Sequence, residues 1–549
     1  MISDLFPFSA INLQDIRGNH PSWLSYVAFP FLSYFVWRFW SFTIRPTLRP
    51  QELDYLPYWV PFVGHAVSFF NNSNALYARG CSYFGNSMKP FILYVAGEKL
   101  AVISNPKHVH QIYKDTSSFS FDPFIDTLYS GVANVSSEGR TALWRSPKDG
   151  FKSLYPNPKQ KVLVHTCSDL VHKQLLQPAR LHDLIGTVLY EIERYTRWNS
   201  FFPSTILSSE GDARVVSAYR WCRDVLVDCQ TQAFFGQYLR DIEPNFTTLM
   251  DAWDDNAWMM TYQYPPFLAK AAIEPRDKLI KALKQYFDTP VDERPTRSTV
   301  PLINEVEAEK KQGGLSTEDI ARTLLMVLWG INANAPMLAF WMLGNLLKQP
   351  EVIDDIRKEI AFAMESIDEL KDITGPTLAE MSKSQLIDKC PLLNSAFNEM
   401  TRVVSTGSTI LEVKQPAVID NKVLAKGTKV LMPQRLAHMS KSSFGDNADE
   451  IDFYRFLKDK SLERSEDYRP FGGGVTLCSG RVVGRHETLA FIAFILWRYD
   501  IQLVNEGAEV LGVKGKPFPR LDHGKPSLGI SKQVEGDDII LKIAERKLR

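Results

Sequence analysis

Residues 469–487 read RPFGGGVTLCSGRVVGRHE, with one sulfur among closely spaced glycines and an apolar, helix-like run behind it. A thiol can be a nucleophile or a metal ligand, although a buried cysteine is more often a small core hydrophobe. The chain holds six cysteines, at 81, 167, 222, 229, 390 and 478, with no CxxC pair and no regular spacing. That pattern supplies neither a disulfide framework nor a zinc site. Five of the cysteines read as reduced packing residues, and the glycines set Cys478 apart.

A second unusual spot lies in IARTLLMVLWGINANAPMLAFWMLGNLLKQP, 320–350, which is nearly apolar throughout. Such a helix belongs in the centre of a protein. By length it could also cross a membrane, but Asn332 and Asn334 sit at its middle, and unpaired amides in lipid are costly. Pro336 follows two residues after Asn334, removes a backbone donor, and predicts a kink with free carbonyls. A polar notch in a greasy central helix suits small-molecule chemistry.

The elements that must position these residues follow from periodicity. Apolar spacing predicts helices over 181–196, 275–287, 317–349 and 351–366. NSMKPFILYVAGEKLAVISNPKHVHQIY, from Asn86, reads as a hairpin followed by a helix start at SNP. Strand-like pieces return at 408–414 and 427–432, around AKGTK. Few early strands, a long helical middle and late strands make one α+β, mostly α-helical domain.

Charge excludes one class of partner. Lys plus Arg and Asp plus Glu are both 63, so the net charge is zero and nothing points to nucleic acid. Aromatics reach 12%, with 33 Phe, as fits a large apolar interior, a membrane contact, or both. Trp23 to Ile44 offers the roughly 20 apolar residues a bilayer span needs, if Arg38 snorkels to the interface. A buried core helix is the ordinary alternative, and Pro30 in mid-run keeps it open. Arg38, Arg45 and Arg49 follow the apolar run, which places the bulk of the protein on the cytosolic side. The division expected is a short luminal N-terminus at 1–22, a transmembrane anchor at 23–44, a proline-rich hinge at 45–62, and a catalytic domain at 63–549. The sequons at Asn71, Asn134 and Asn245 are then chance matches.

With these residues in view, the chain resembles the cytochrome P450 family of haem-thiolate monooxygenases. The family loop F-x-x-G-x-x-x-C-x-G is filled by Phe471, Gly474, Cys478 and Gly480. NEMTR carries the E-x-x-R pair as Glu399 and Arg402, and FYRF brings Arg455 into register. The resemblance implies the P450 fold, haem b (iron protoporphyrin IX) ligated by Cys478, and a structural lock of Glu399, Arg402 and Arg455 behind it. Thiolate ligation favours O–O cleavage. Backbone N–H groups of the loop and the helix start near Gly480 would stabilise the sulfur's charge, and Gly474 would let the backbone approach the macrocycle.

Two places depart from the usual pattern, one in the loop and one in the central helix. Thr476 stands where a base normally meets a haem propionate, and Ala333 and Asn334 stand where most members have an acid and a threonine. Both departures resemble the sterol 7α-hydroxylase and prostacyclin synthase subgroup, as does VLMPQRLAHMS at 430–440. The resemblance implies an enzyme of the endoplasmic reticulum membrane, a single-pass anchor, and NADPH electrons from a partner P450 reductase. It would insert one oxygen atom into a lipophilic terpenoid, sterol or lipid-like substrate, with Asn334 as the catalytic distal residue. A reductase-independent peroxide isomerase or dehydratase is the alternative, and a non-catalytic haem sensor the third reading. Expected lining segments are 118–132, 253–267, Gly330–Asn334 and 405–410, and YPPFLAKAA (264–272) could dip into a bilayer.

Overall fold

A computed structural model of the chain describes residues 23–294, 300–365 and 386–547. Residues 1–22, expected as a luminal N-terminus, lie outside it. Helices account for 57% of the described residues and strands for 13%, so the mixed, mainly helical expectation holds.

The chain enters on α1 (Trp23–Phe39), which continues through a π-helical turn at Trp40–Ile44 and one more turn at Arg45–Leu48. Phe29, Phe31, Leu32, Phe35, Val36, Phe39 and Trp40 are all exposed along it. Among the described residues, however, the one helical run long and apolar enough to cross a membrane is Thr317–Leu346, and most of that is buried. Serine, tyrosine, tryptophan and Arg38 dilute the hydropathy of 23–44. Arg38 does not reach outward either. It donates to the Tyr58 carbonyl and stacks over Trp59 at 4.1 Å, while the Tyr34 hydroxyl donates to the Trp59 carbonyl at 2.8 Å. Tyr58 in turn stacks on Tyr94 at 5.3 Å, so the proline-rich stretch is docked on the domain.

After α2 (Ala66–Tyr83) come β1 (Phe91–Val95) and β2 (Glu98–Val102), joined by Ala96 and Gly97. Both turn residues have positive φ, the conformation a two-residue hairpin turn demands. The expected helix start is α3 (Pro106–Lys114), where the Asn105 side chain accepts from the Lys107 N–H and Pro106 takes the first helical position. β3 (Phe119–Ser120) closes this region.

The helical middle is interrupted by an antiparallel hairpin of β4 (Ile206–Glu210) and β5 (Ala213–Ser217), which periodicity did not predict. Then follow α4 (Ala218–Phe235), α5 (Phe246–Thr261), α6 (Lys270–Asp288), α7 (Thr317–Asn332) and α8 (Ala335–Leu346). The expected 317–349 helix is thus two helices, broken at Ala333 and Asn334. The helices expected at 181–196 and 351–366 occupy Pro178–Tyr195 and Pro350–Glu365.

The last third brings α9 (Pro391–Val404) and β6 (Ser408–Val413), then a small hairpin of β7 (Ala417–Ile419) and β8 (Lys422–Leu424). It continues with β9 (Lys429–Pro433), α10 (Arg481–Arg498), β10 (Tyr499–Leu503) and β11 (Ile540–Glu545). One sheet runs β1-β2-β9-β6-β3, tying the start of the domain to its end. The other runs β10-β11-β5-β4, so the unpredicted middle hairpin is completed by the C-terminal strand.

The break between α7 and α8 follows from Pro336. Its missing N–H leaves the Asn332 carbonyl without its helical donor, and Arg223 of α4 donates there at 3.4 Å. Arg223 is only 1% exposed and is held by Asp251 at 2.9 Å and Asp254 at 3.2 Å, both on α5. From Asp319 to Leu346 only Gly330 and Asn334 are exposed. α8 packs on α9 and on α10, the helix that follows the Cys478 loop.

Arg223→Met removes the cation from two buried carboxylates. Stability in urea should fall by about 3–5 kcal/mol, the range for breaking a buried pair, and Arg223→Lys should recover part of it.

Candidate functional site

Cys478 is the one exposed cysteine; the other five are buried or half-buried. Its loop is shaped by backbone bonds. Gly472 N–H donates to the Arg469 carbonyl, Thr476 N–H to Gly473, and Cys478 N–H to Phe471 at 2.9 Å. The Phe471 ring stacks on Phe397 of α9, so this residue anchors the loop through ring and carbonyl alike.

Gly472 and Gly474 have φ of +75° and +53°, a region L side chains rarely adopt. Sterics add a second reason. A Cβ on Gly473 would lie 2.7 Å from the Tyr113 ring, and one on Gly474 would lie 2.7 Å from the Tyr113 carbonyl oxygen. The crowding at 473 and 474 therefore comes from α3 behind the loop, not only from a ligand in front. Gly480 differs, since a Cβ there would meet only the Cys478 sulfur at 3.9 Å. What Gly480 contributes is its N–H.

The thiol is accessible yet recessed, and burial, the largest influence, raises its pKa above the ordinary cysteine value. The backbone N–H groups of Gly480 and Arg481 act against that rise, as does the Arg481 charge. These donors are the start of α10, an 18-residue helix whose N-terminus favours an anion. Val475 and Leu477 beside the sulfur are 58% and 40% exposed. An accessible sulfur with converging N–H donors and uncovered apolar neighbours fits a residue that would hold the metal of a flat, largely apolar macrocycle.

Behind the loop, Glu399, Arg402 and Arg455 meet. Arg402 donates two bonds to the Glu399 carboxylate, at 2.9 and 2.7 Å, and Arg455 Nε reaches both of its oxygens at 3.2 Å. Glu399 and Arg402 are fully buried and Arg455 nearly so. The outer guanidinium nitrogens serve backbone carbonyls. Arg402 reaches His438, Ala448 and Glu450, and Arg455 reaches Phe444, Asn447 and Glu450.

His438, which sequence reasoning did not single out, carries the connection onward. Its Nε2 accepts the Arg469 N–H at 3.1 Å, at the first residue of the loop. Burial, then the charges of Arg402 and Arg435, lower its pKa to about 3. The ring is neutral, as an acceptor Nε2 requires.

Asn334 is exposed at the helix break, but its Oδ1 accepts the Ile530 N–H at 2.9 Å. A Cβ on Gly529 would come within 2.2 Å of that oxygen, so the glycine is needed for the approach. The bonds of Asn334 thus run to the C-terminal segment, and none of the described ones reaches the Cys478 loop. The Thr476 hydroxyl donates to the Gly473 carbonyl at 2.9 Å, with the Tyr113 hydroxyl beside it. Among the expected lining residues, Trp253 is fully buried against Trp329 and Asp254 belongs to the Arg223 cluster. Thr406 and Gly407 face the C-terminal segment, and both donate to the Gly529 carbonyl.

Comparison with known proteins agrees with this geometry. The Cytochrome P450 family profile matches residues 188–515, which hold every one of the residues above except Tyr113, Gly529 and Ile530. The chain is 25% identical to the cytochrome P450 monooxygenase nodJ of Hypoxylon pulicicidum over 518 residues, covering 92% of this chain and 91% of the relative. It is 25% identical to the 25-hydroxycholesterol 7-alpha-hydroxylase of Rattus norvegicus over 65% of this chain and 84% of that one. With the prostacyclin synthase of the same organism it shares 25% identity over 36% of this chain and 41% of the relative.

Glu399→Gln leaves two buried guanidinium groups without their counter-charge. Stability should drop by about 3–5 kcal/mol, with residues 438–469 becoming the first site of protease cleavage. His438 gives a pH test. Its folded pKa lies below the unfolded 6.5, so the unfolded state binds the extra proton and stability falls with acidification from 6.5 toward 3. The slope should approach about 1.4 kcal/mol per pH unit in that window, and His438→Gln, an acceptor that does not titrate, should flatten it.

Proposed function

The chain belongs to the cytochrome P450 family, and on that premise we propose that it is a membrane-bound haem-thiolate monooxygenase acting on a lipophilic substrate. The observation that carries the reading is the accessible Cys478 thiol under the N–H groups of Gly480 and Arg481, at the head of α10. Haem, once held there, supplies the activation of O2 for transfer of one oxygen atom. Everything else falls to the chain's own side chains.

Cys478 binds as thiolate, and its two backbone donors hold that charge in place. Glu399, Arg402 and Arg455 fix the segment behind it, and His438 fixes Arg469. Gly330 and Asn334 open the central helix at one point, where a substrate can come close to the notch while the buried surroundings of α7 and α8 exclude bulk water. The Asn334 Nδ2 group, without a partner among the described residues, is the donor available to orient substrate or a water there. Electrons are taken from NADPH through a partner reductase. The exposed apolar face of α1 supports a membrane anchor, and Trp59, Phe62, Phe267 and Leu268 extend uncovered apolar surface along the domain. That surface supports reading the domain as cytosolic on the endoplasmic reticulum membrane, and the hydroxycholesterol in one relative's name supports a terpenoid, sterol or other lipid-like substrate.

One observation favours a second reading. Ala333 offers no acid, and the Asn334 oxygen is engaged by Ile530, so the break carries no side chain that relays protons. Rearrangement or dehydration of a substrate peroxide needs none. A haem sensor without turnover has no comparable support.

The purified protein reduced under carbon monoxide should show the long-wavelength Soret band of thiolate ligation, and Cys478→Ala should lose it. Product from a lipophilic substrate should then require NADPH and reductase. Product formed only from a hydroperoxide substrate without them would overturn the monooxygenase reading in favour of the second.

A further inference from the structure

Residues 527–532 cross beside the helix break as a strap. Three sides of it are pinned to rigid elements. The Gly529 carbonyl accepts from Thr406 and Gly407, and Ser531 N–H donates to the Val404 carbonyl, joining the strap to the end of α9 and the approach to β6. The Ser531 carbonyl accepts from the Trp341 indole of α8 at 2.7 Å, and Ile530 N–H donates to Asn334. The Ser527 hydroxyl accepts the Gly529 N–H and donates to the Ile530 carbonyl, holding the strap's own turn. It therefore spans the exposed Asn334 on one side and the buried 405–407 on the other, and Leu528 on it is 45% exposed.

The fourth side is held differently. Lys532 Nζ lies 2.5 Å from Asp254 and 2.7 Å from Asp255, and among the described residues these two ion pairs are the polar bonds between the strap and α5. Asp254 is buried and shared with Arg223 and the Trp329 indole. Asp255 is a third exposed, and Lys532 is half-buried. Without Lys532 the carboxylate of Asp254 keeps two donors, whereas Asp255 loses its ion-pair partner. The α5 side can thus part from the strap without dismantling the cluster beneath it. α5 leads into the turn whose Phe267 and Leu268 are exposed, the end of the hairpin with least cover.

We propose that Lys532 is a positioning residue that latches the 527–532 strap to α5 and so sets the bulk of substrate admitted beside Asn334. The inference rests on the haem-thiolate reading only for its spectroscopic probe. The latch is electrostatic, so the side chain's charge matters more than its volume.

The test uses holoenzyme and two azoles that ligate haem iron, small imidazole and bulky clotrimazole, titrated by absorption. Lys532→Met should tighten clotrimazole at least fivefold and leave imidazole within twofold, with the carbon monoxide band unchanged. Lys532→Arg should behave as wild type. Amide hydrogen exchange over 527–532 should rise in Lys532→Met alone, a readout independent of haem. Should Lys532→Met not yield holoenzyme, Asp255→Asn opens the same latch from its exposed side and carries the same expectation. Equal shifts for both azoles, no shift for either, or Lys532→Arg matching Lys532→Met would overturn the proposal. Wild type that shows no thiolate band and binds no imidazole would sink the haem reading instead, leaving the exchange result to decide the latch.

Discussion

A single buried carboxylate holds the 438–455 segment to α9 behind Cys478. Glu399 lies between two guanidinium groups, and each guanidinium spends its outer nitrogens on carbonyls of the 438–450 segment. Such a cluster has a large desolvation cost, so its net stabilisation is modest. Its value is in specificity. With one carboxylate and two fixed forks, a chain segment that has little regular structure is left with one arrangement that satisfies every donor. His438 passes that arrangement to Arg469, and the glycine turn carries it to the sulfur.

The opposite side is built on the same principle with the signs distributed differently. Pro336 frees a carbonyl in the middle of the core, and a buried arginine answers it. That arginine has to be neutralised, which brings Asp251 and Asp254 of α5 inward, and Lys532 follows to balance the third acid at 255. Arg220, Arg223 and Lys532 stand against Asp251, Asp254 and Asp255, so the cluster is neutral as a whole. A helix break that exposes Asn334 is thus supported by charge as well as by the apolar packing on either side of it.

Local patterns carried much of this. Asn105 with Pro106 marked a helix start, Ala96-Gly97 sits at a hairpin turn, and the Cys478 loop stood out by glycine spacing alone. What did not show in the sequence depends on partners far along the chain. The hairpin at 206–217 has alternation too short to distinguish from loop, and its pairing strand is at 540–545. The run WDDNAWMM looks like a pocket lining by its aromatics, but its acids answer a cation on another helix and Trp253 goes to the core. Gly473 and Gly474 were legible as tight places, while the reason, Tyr113, was not. Asn334 could be recognised as a polar notch, yet no local signal says that Ile530 will claim its oxygen.

Tyr113 has a further consequence, in the order of assembly. Its ring and carbonyl press on Gly473 and Gly474, its hydroxyl donates to Thr409, 296 residues away, and His110 on the same helix meets Arg469, 359 residues away. Closing loops of that length costs chain entropy before any contact rewards it, and contacts so distant in sequence form slowly. The turn that presents the sulfur cannot acquire its final shape until the first and last thirds of the domain have met. A group held at Cys478 would therefore meet a finished turn only after α3 has docked against it.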